Sequence, residues 1–178
     1  NSTSSTVSSE IIKVTSLEKY SRLFYPDISK NKTFYFKSPS GDECVLIETD
    51  TENIPDETDS LSHISFVNGL RTKKGGVHVI AWQDALIGSI VRTFNARKPK
   101  SKKHDPVKTT ARGVYPYLTI FLRCEVDRPK FDDQTKEYLN EIVDVNGKNA
   151  KYRLFPVGNK KMADAWKEQL EIGLNKIM

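Results

Sequence analysis

The feature that most constrains this chain is a hydrophobic period that changes and then changes back. Ser62 to Asn68, SHISFVN, reads as a strand with Ile64 and Phe66 on one face. From about His78 to Asn95 the apolar residues fall at helical spacing. Ile80, Ile87, Ile90, Val91 and Phe94 share a stripe, with Ala81 and Ala85 beside it. From Tyr117 to Val126 the period returns to two: Leu118, Ile120, Leu122, Cys124 and Val126 face one way, and Tyr117, Thr119, Phe121, Arg123 and Glu125 the other. A strand, a long helix and a second strand make a βαβ crossover, which joins two parallel strands of one sheet.

The flanking segments fit around that unit. Ser16 to Phe24, SLEKYSRLF, reads as a short helix with Ser16 as N-cap, a face of Leu17, Tyr20 and Leu23/Phe24, and Pro26 as its stop. Thr33–Ser38 and Cys44–Thr49 read as two strands of a hairpin around PSGDE. Near the end, EIVDVNG and KYRLFPVG read as two short strands around Asn146-Gly147. MADAWKEQLEIGLNKIM reads as a terminal helix, about 161–177, with Met162, Trp166, Leu170, Leu174 and Ile177 as its stripe. Gly173 weakens that helix by about 1 kcal/mol relative to Ala. The expected architecture is α+β: about four strands in a sheet, one crossover helix and flanking helices, preceded by a flexible lead-in at 1–15.

Charge is unevenly spread. Gly41 to His63 holds eight acids and no Lys or Arg, whereas Arg97 to Lys108 holds six basic residues against Asp105 alone. That basic loop is either a solvated connector or a polyanion contact. No apolar run reaches the roughly 20 residues of a membrane span, and the first residues have no secretory pattern. Cys44 and Cys124 are too few for a disulfide framework and read as buried free thiols, in keeping with a reducing compartment.

Most chemistry is excluded by spacing. His63, His78 and His104 are widely separated and lack ligand partners at metal-binding intervals, and His78 reads as a helix-start residue. No Gly-x-Ser-x-Gly is present. Asp132 and Asp133 are adjacent in an extended segment, so they point apart and make no catalytic dyad. GLRTKKGG lacks the phosphate-loop pattern. Its Gly75-Gly76 reads as a tight turn into the helix, with an anion site at the free N–H groups as the alternative.

Two motifs carry a resemblance: ISFVNGLRTKKGGVHVIAWQDAL, from Ile64 to Leu86, and RPKFDDQTKEYL, from Arg128 to Leu139. Together, at this spacing, they resemble the transducer domain of type IIA DNA topoisomerases of the eukaryotic kind, including those of large DNA viruses. SLEKYSRLFYPD resembles the segment that joins the ATP-binding domain to the transducer. The likeness covers Ser16 to about Glu141. Arg128 stands where the family usually has Asn, and the tail after Glu141 departs from the family.

The resemblance implies a ribosomal-protein-like βαβ transducer over 16–178, with a basic loop at 97–112 and a QTK loop at 129–137. It implies that Gln134 and Lys136 contact the γ-phosphate of ATP, with Lys136 stabilising charge during hydrolysis and Thr135 as scaffolding. ATP and Mg2+ would be held mainly by a GHKL-type ATP-binding domain outside this chain. It also implies that Arg97, Lys98, Lys100, Lys102 and Lys103 meet double-stranded DNA. The remaining partners would be the ATP-binding domain and cleavage core of the same protein, in a homodimer. The location would be nuclear in a eukaryote, or host cytoplasm, nucleus or virion for a virus. No nucleotide pocket and no cleavage tyrosine are recognisable, so this segment alone is expected to be inactive. The alternatives are a stand-alone nucleic-acid-binding βαβ module of ribosomal or RNA-associated type, or the transducer of another GHKL ATPase.

Overall fold

A computed structural model describes residues 13–27, 29, 32–49, 59–96, 108–154 and 160–174. Its centre is the expected crossover. Strand β3 (Ser62–Val67) leads through a short connector into helix α2 (Val77–Ala96), and the chain returns as β6 (Leu118–Cys124), parallel to β3 with Ser62 opposite Thr119 and Val67 opposite Cys124. β1 (Thr33–Lys37) and β2 (Glu43–Glu48) form the expected antiparallel hairpin, and β2 pairs antiparallel with β6. β4 (Leu70–Arg71) completes a five-stranded sheet in the order β1-β2-β6-β3-β4.

One face of this sheet carries Phe36, Cys44, Leu46, Val67, Ile120, Leu122 and Cys124 against Trp82, Leu86, Ile87 and Ile90 of α2. The other face holds Val45, Ile47 and Phe121 under Leu17 of α1 (Leu17–Ser21), with Tyr20, Tyr25 and Ile64 packed around them. Ser16 caps α1 as expected, its hydroxyl accepting from Lys19 N at 3.2 Å. Leu23 and Phe24 lie beyond the helix and are half exposed.

Two faces come out differently from the periodicity. The buried side of α2 is His78, Val79, Trp82, Leu86, Ile87, Ser89 and Ile90, while Ile80 and Phe94 stand exposed. Apolar residues surround much of α2, so no single stripe is marked. The wide Trp82 ring, fully enclosed, decides which side faces the sheet. In β6, Thr119 and Phe121 are buried too, because α1 and Tyr25 cover the second face and Tyr25 donates its hydroxyl to Thr119 Oγ1 at 3.2 Å. A strand covered on both faces loses its polar side.

The strand count exceeds the expected four: the two-residue β4 extends the first sheet, and a second sheet forms, most of whose strands are only two or three residues long. It consists of β5 (Gly75–Gly76), β8 (Tyr138–Val143) and β7 (Pro129–Phe131), with β9 (Asn149–Ala150) paired to the far part of β8. Asp144 Oδ1 caps the β8–β9 turn, accepting from Asn146 N and Lys148 N, each at 2.9 Å. The returning strand is therefore Asn149–Ala150 and not Lys151–Leu154; the rest of KYRLFPVG lies outside the described residues. Residues 151–154 are spent differently: Tyr152 donates its hydroxyl to Asp42, and Leu154 O accepts from Ser40 at 3.0 Å, both at the β1–β2 turn. Burial raises the Asp42 carboxyl above its ordinary value.

The terminal helix α4 spans Lys160–Leu174, and Leu170 is buried as expected. Of the rest of its expected stripe, the side chains of Met162, Trp166 and Leu174 and all of Ile177 lie outside the described residues. Gly173 has a packing reason: a Cβ there would collide with the Phe34 ring, so α4 meets β1 only through a glycine. Cys44 and Cys124 are free and buried, and burial pushes both thiols up.

Candidate functional site

The loop from Asp132 to Glu137 joins β7 to β8. Asp133 organises it as an Asx turn: its Oδ1 accepts from Thr135 N at 2.9 Å and from the Thr135 hydroxyl, and its carbonyl accepts from Lys136 N at 3.3 Å. The Thr135 hydroxyl is the main cause that holds the Asp133 carboxyl below its ordinary value. Asp133 is thus loop scaffolding, consistent with the absence of a carboxylate dyad. Lys136 lies in the left-handed region at φ 56°. That conformation costs a non-glycine residue roughly 1–2 kcal/mol. The turn ends with Gln134, Thr135 and Lys136 all exposed. Among the described residues the Lys136 ammonium has no carboxylate partner.

The structure brings the two sequence motifs together. β5, the Gly75-Gly76 of the connector, pairs parallel with the start of β8: Gly75 opposite Tyr138 and Gly76 opposite Leu139. Gly76 sits at φ 134°, and a Cβ there would collide with Leu139 O. This close approach explains the glycine pair as a turn into α2 that also lets two backbones touch. Lys74 N donates to Glu137 O at 3.0 Å. Above the backbone, Lys73 Nζ lies 3.3 Å from Glu137 Oε1, and Lys74 Nζ lies 3.4 Å from Glu137 Oε2 and 3.9 Å from Asp133 Oδ2. The site therefore has three lysines, of which two are engaged by carboxylates and Lys136 is not.

Beneath the connector lies a polar network. Ser65 Oγ donates to Thr72 O at 3.0 Å, and Thr72 Oγ1 donates to Ser65 O at 3.1 Å. With those hydrogens used, Thr72 Oγ1 accepts from His78 Nε2 at 3.1 Å, and His78 Nδ1 stays unprotonated and without a partner. Burial pushes the His78 pKa down to about 3, with His63 contributing. His78 is thus more than a helix-start residue: it pins the connector to the core.

Asn68 also acts where the sequence had marked only a strand end. With Gly69 it forms the left-handed pair of the β3–β4 turn (φ 50° and 78°). Its side chain donates to Val126 O and accepts from Val126 N, both at 2.8 Å, which orients the chain leaving β6 toward β7. Arg128, at φ 51°, occupies a left-handed position that suits Asn better. Its guanidinium donates to Asp144 O and Val145 O at 3.1 and 3.3 Å. Of these, Lys73 and Lys74 carried a signal, as the basic half of the connector, and Glu137 lay in the motif itself. Asn68 gave none.

Arg97, Lys98, Lys100, Lys102 and Lys103 lie outside the described residues. The ends of their loop are held together: Asn95 Nδ2 donates to Thr109 O at 3.0 Å, and Thr109 N donates to Asn95 Oδ1 at 2.8 Å. Among the described residues no group of three His, Cys, Asp or Glu could hold a metal ion, and no helix is long and apolar enough to cross a membrane.

The chain resembles known proteins in sequence and in fold. The chain is 42% identical over 76 residues to DNA topoisomerase 2 of Invertebrate iridescent virus 6, covering 43% of this chain and 6% of that protein. It is 32% identical over 131 residues to DNA topoisomerase 2 of Acanthamoeba polyphaga mimivirus, covering 70% of this chain and 9% of that protein. The chain thus spans a small part of these curated relatives. Its fold resembles the crystal structure of the ATPase and transducer domains of DNA topoisomerase II from Balamuthia mandrillaris, with a TM-score of 0.56 and 21% identity, covering 91% of this chain and 38% of that one. The family model described as DNA gyrase B matches residues 17–144. The chain belongs to the DNA gyrase B family, in which its curated relatives are DNA topoisomerase 2 proteins.

Proposed function

We propose that this chain is the transducer segment of an ATP-dependent type II DNA topoisomerase, and that its 129–137 loop senses the γ-phosphate of ATP bound to another domain of the same protein. The observation that carries this is the loop itself: Gln134 and Lys136 are exposed on a turn that Asp133 organises, and, among the described residues, Lys136 has no carboxylate partner while Lys73 and Lys74 do. A Lys ammonium is a compact charge with three donors, and the Gln amide adds two more, a donor set that suits a terminal phosphate. Neither group activates water. Gln134 orients the phosphoryl group and Lys136 offsets charge that grows as it leaves. Mg2+ is assigned to the ATP-binding domain, since the described residues hold no acidic cluster that fits it.

Loss of the phosphate ends the contact, and the loop is free to move with the domain behind it. The route back is short: β8 pairs with Gly75-Gly76, and Gly76 leads directly into α2, which packs on the main sheet. Release at the loop would thus be felt as a movement of α2 and of the segment that follows it. That segment is the basic loop, whose Arg97, Lys98, Lys100, Lys102 and Lys103 we assign to the backbone of a transported DNA duplex. In the homodimeric enzyme this couples ATP hydrolysis to duplex passage, in the nucleus of a eukaryote or in a virus-infected cell.

The test is Lys136→Ala in the full-length protein. DNA-stimulated ATP turnover should fall by about 100-fold, the usual range for removal of one charge-stabilising donor, while the unfolding midpoint stays put. Turnover at the wild-type level would sink the phosphate role. For the loop, neutralising Lys98, Lys100, Lys102 and Lys103 should flatten the salt dependence of DNA binding by about 0.9 for each phosphate no longer neutralised; an unaltered slope would remove the DNA assignment.

A further inference from the structure

The charges around the QTK loop do not favour a phosphate if that loop is taken alone. Residues 132–137 carry Asp132, Asp133 and Glu137 against the single cation Lys136. A polyphosphate approaching Gln134 and Lys136 would meet a field that is negative overall. The compensating charges come from the other motif: Lys73 and Lys74, delivered by the connector, bring the local sum to zero.

Lys74 is the better placed of the two. Its ammonium lies between the carboxylates that open and close the loop, 3.9 Å from Asp133 and 3.4 Å from Glu137, while Lys73 reaches Glu137 only. Its backbone N–H also donates to Glu137 O at 3.0 Å, so the side chain starts from a fixed point. The lysine ends of these ion pairs are exposed and Glu137 is partly buried, and pairs with one end in solvent contribute little to stability. An arrangement that brackets Gln134 and Lys136 from both ends, at so small a gain in stability, calls for another role.

We infer that Lys74 is a positioning residue for phosphate recognition: it holds the two ends of the 133–137 loop together and cancels the Asp133 and Glu137 charges, so that an anionic phosphate can reach Lys136. This rests on the γ-phosphate reading of that loop. Lys74 does not itself touch the phosphate, because its ammonium is engaged by the two carboxylates.

The experiment is steady-state hydrolysis of Mg-ATP by the full-length enzyme in the presence of DNA, at fixed ionic strength. Lys74→Ala should lower kcat/KM by about tenfold, with KM carrying most of the change. Lys74→Arg should restore it to within about threefold, since the charge and reach are kept. In an Asp133→Asn/Glu137→Gln background, Lys74→Ala should add less than about twofold, because the carboxylates it serves are gone. The unfolding midpoint should not move in any of these variants. Wild-type kinetics for Lys74→Ala would overturn the inference. An equal loss in both backgrounds would overturn it as well, by making Lys74 a direct ligand. If Lys136→Ala is also without effect, the phosphate reading of the loop fails; if Lys136→Ala is impaired and Lys74→Ala is not, only the role of Lys74 fails.

Discussion

In the five-stranded sheet Val45, Ile47, Ile120, Phe121 and Leu122 are all fully enclosed, while in the small sheet Leu139 is the one large side chain that is. The first sheet is covered by α2 on one face and by α1 with Tyr20 and Tyr25 on the other. The second is a thin flap whose strands carry exposed or half-buried residues and end in the loop with Gln134 and Lys136. The difference separates stability from function. The loop itself, with its exposed side chains, adds little to the core. The small sheet is held where Leu139, Phe131 and Ile142 pack against the main core, and by a join where Gly76 meets Leu139 and Thr72 meets His78.

That comparison can be broken at its stronger side first. Trp82→Ala removes the largest enclosed side chain and should cost about 3–5 kcal/mol in urea unfolding of the whole chain. A loss below about 1 kcal/mol would mean that α2 and the main sheet are not the stability centre. Gly76→Ala attacks the join. A Cβ cannot fit against Leu139 O, and the φ of 134° is closed to side chains, so the local cost should be about 3 kcal/mol. Hydrogen exchange should quicken across Tyr138–Val143 and stay slow across Leu118–Cys124. Equal loss of protection in both strands would show the two sheets to be one cooperative unit.

The remaining effect is on pH. Unfolded, His78 takes up a proton near its ordinary value of about 6.5; folded, it resists until about 3. Stability is therefore lost as pH falls between those values, by at most about 1.4 kcal/mol per pH unit for this group. His63, lowered mainly by burial, acts in the same direction. Asp42, raised mainly by burial, acts the opposite way where it titrates. His78→Gln should flatten the acid side of the profile by close to one proton. An unchanged slope at pH 5 would exclude His78 as the acid-sensitive point of the join.

What could be read ahead was the crossover, the hairpin, the capped first helix, the buried thiols and the motif that carries Gln134 and Lys136. The misread faces have a common cause. Ile80 and Phe94 are as apolar as Ile87 and Ile90, and which of them is covered depends on where the Trp82 ring lodges. Thr119 looks solvent-facing until Tyr25 lies over it. KYRLF has the composition of a strand, but Tyr152 and Leu154 bond to the β1–β2 turn instead.

The sequence by itself determined the parallel crossover and which residue types the loop carries, because hydrophobic period and residue type are local properties. Only the tertiary structure decided that the two motifs touch. Gly76 and Leu139 lie far apart in the chain, and they meet because a missing Cβ lets two backbones come together. That same join sets Lys74 between Asp133 and Glu137 and, among the described residues, leaves Lys136 without a carboxylate partner. Long-range charge pairing of this kind has no local pattern, since it depends on where the packed core puts each strand end.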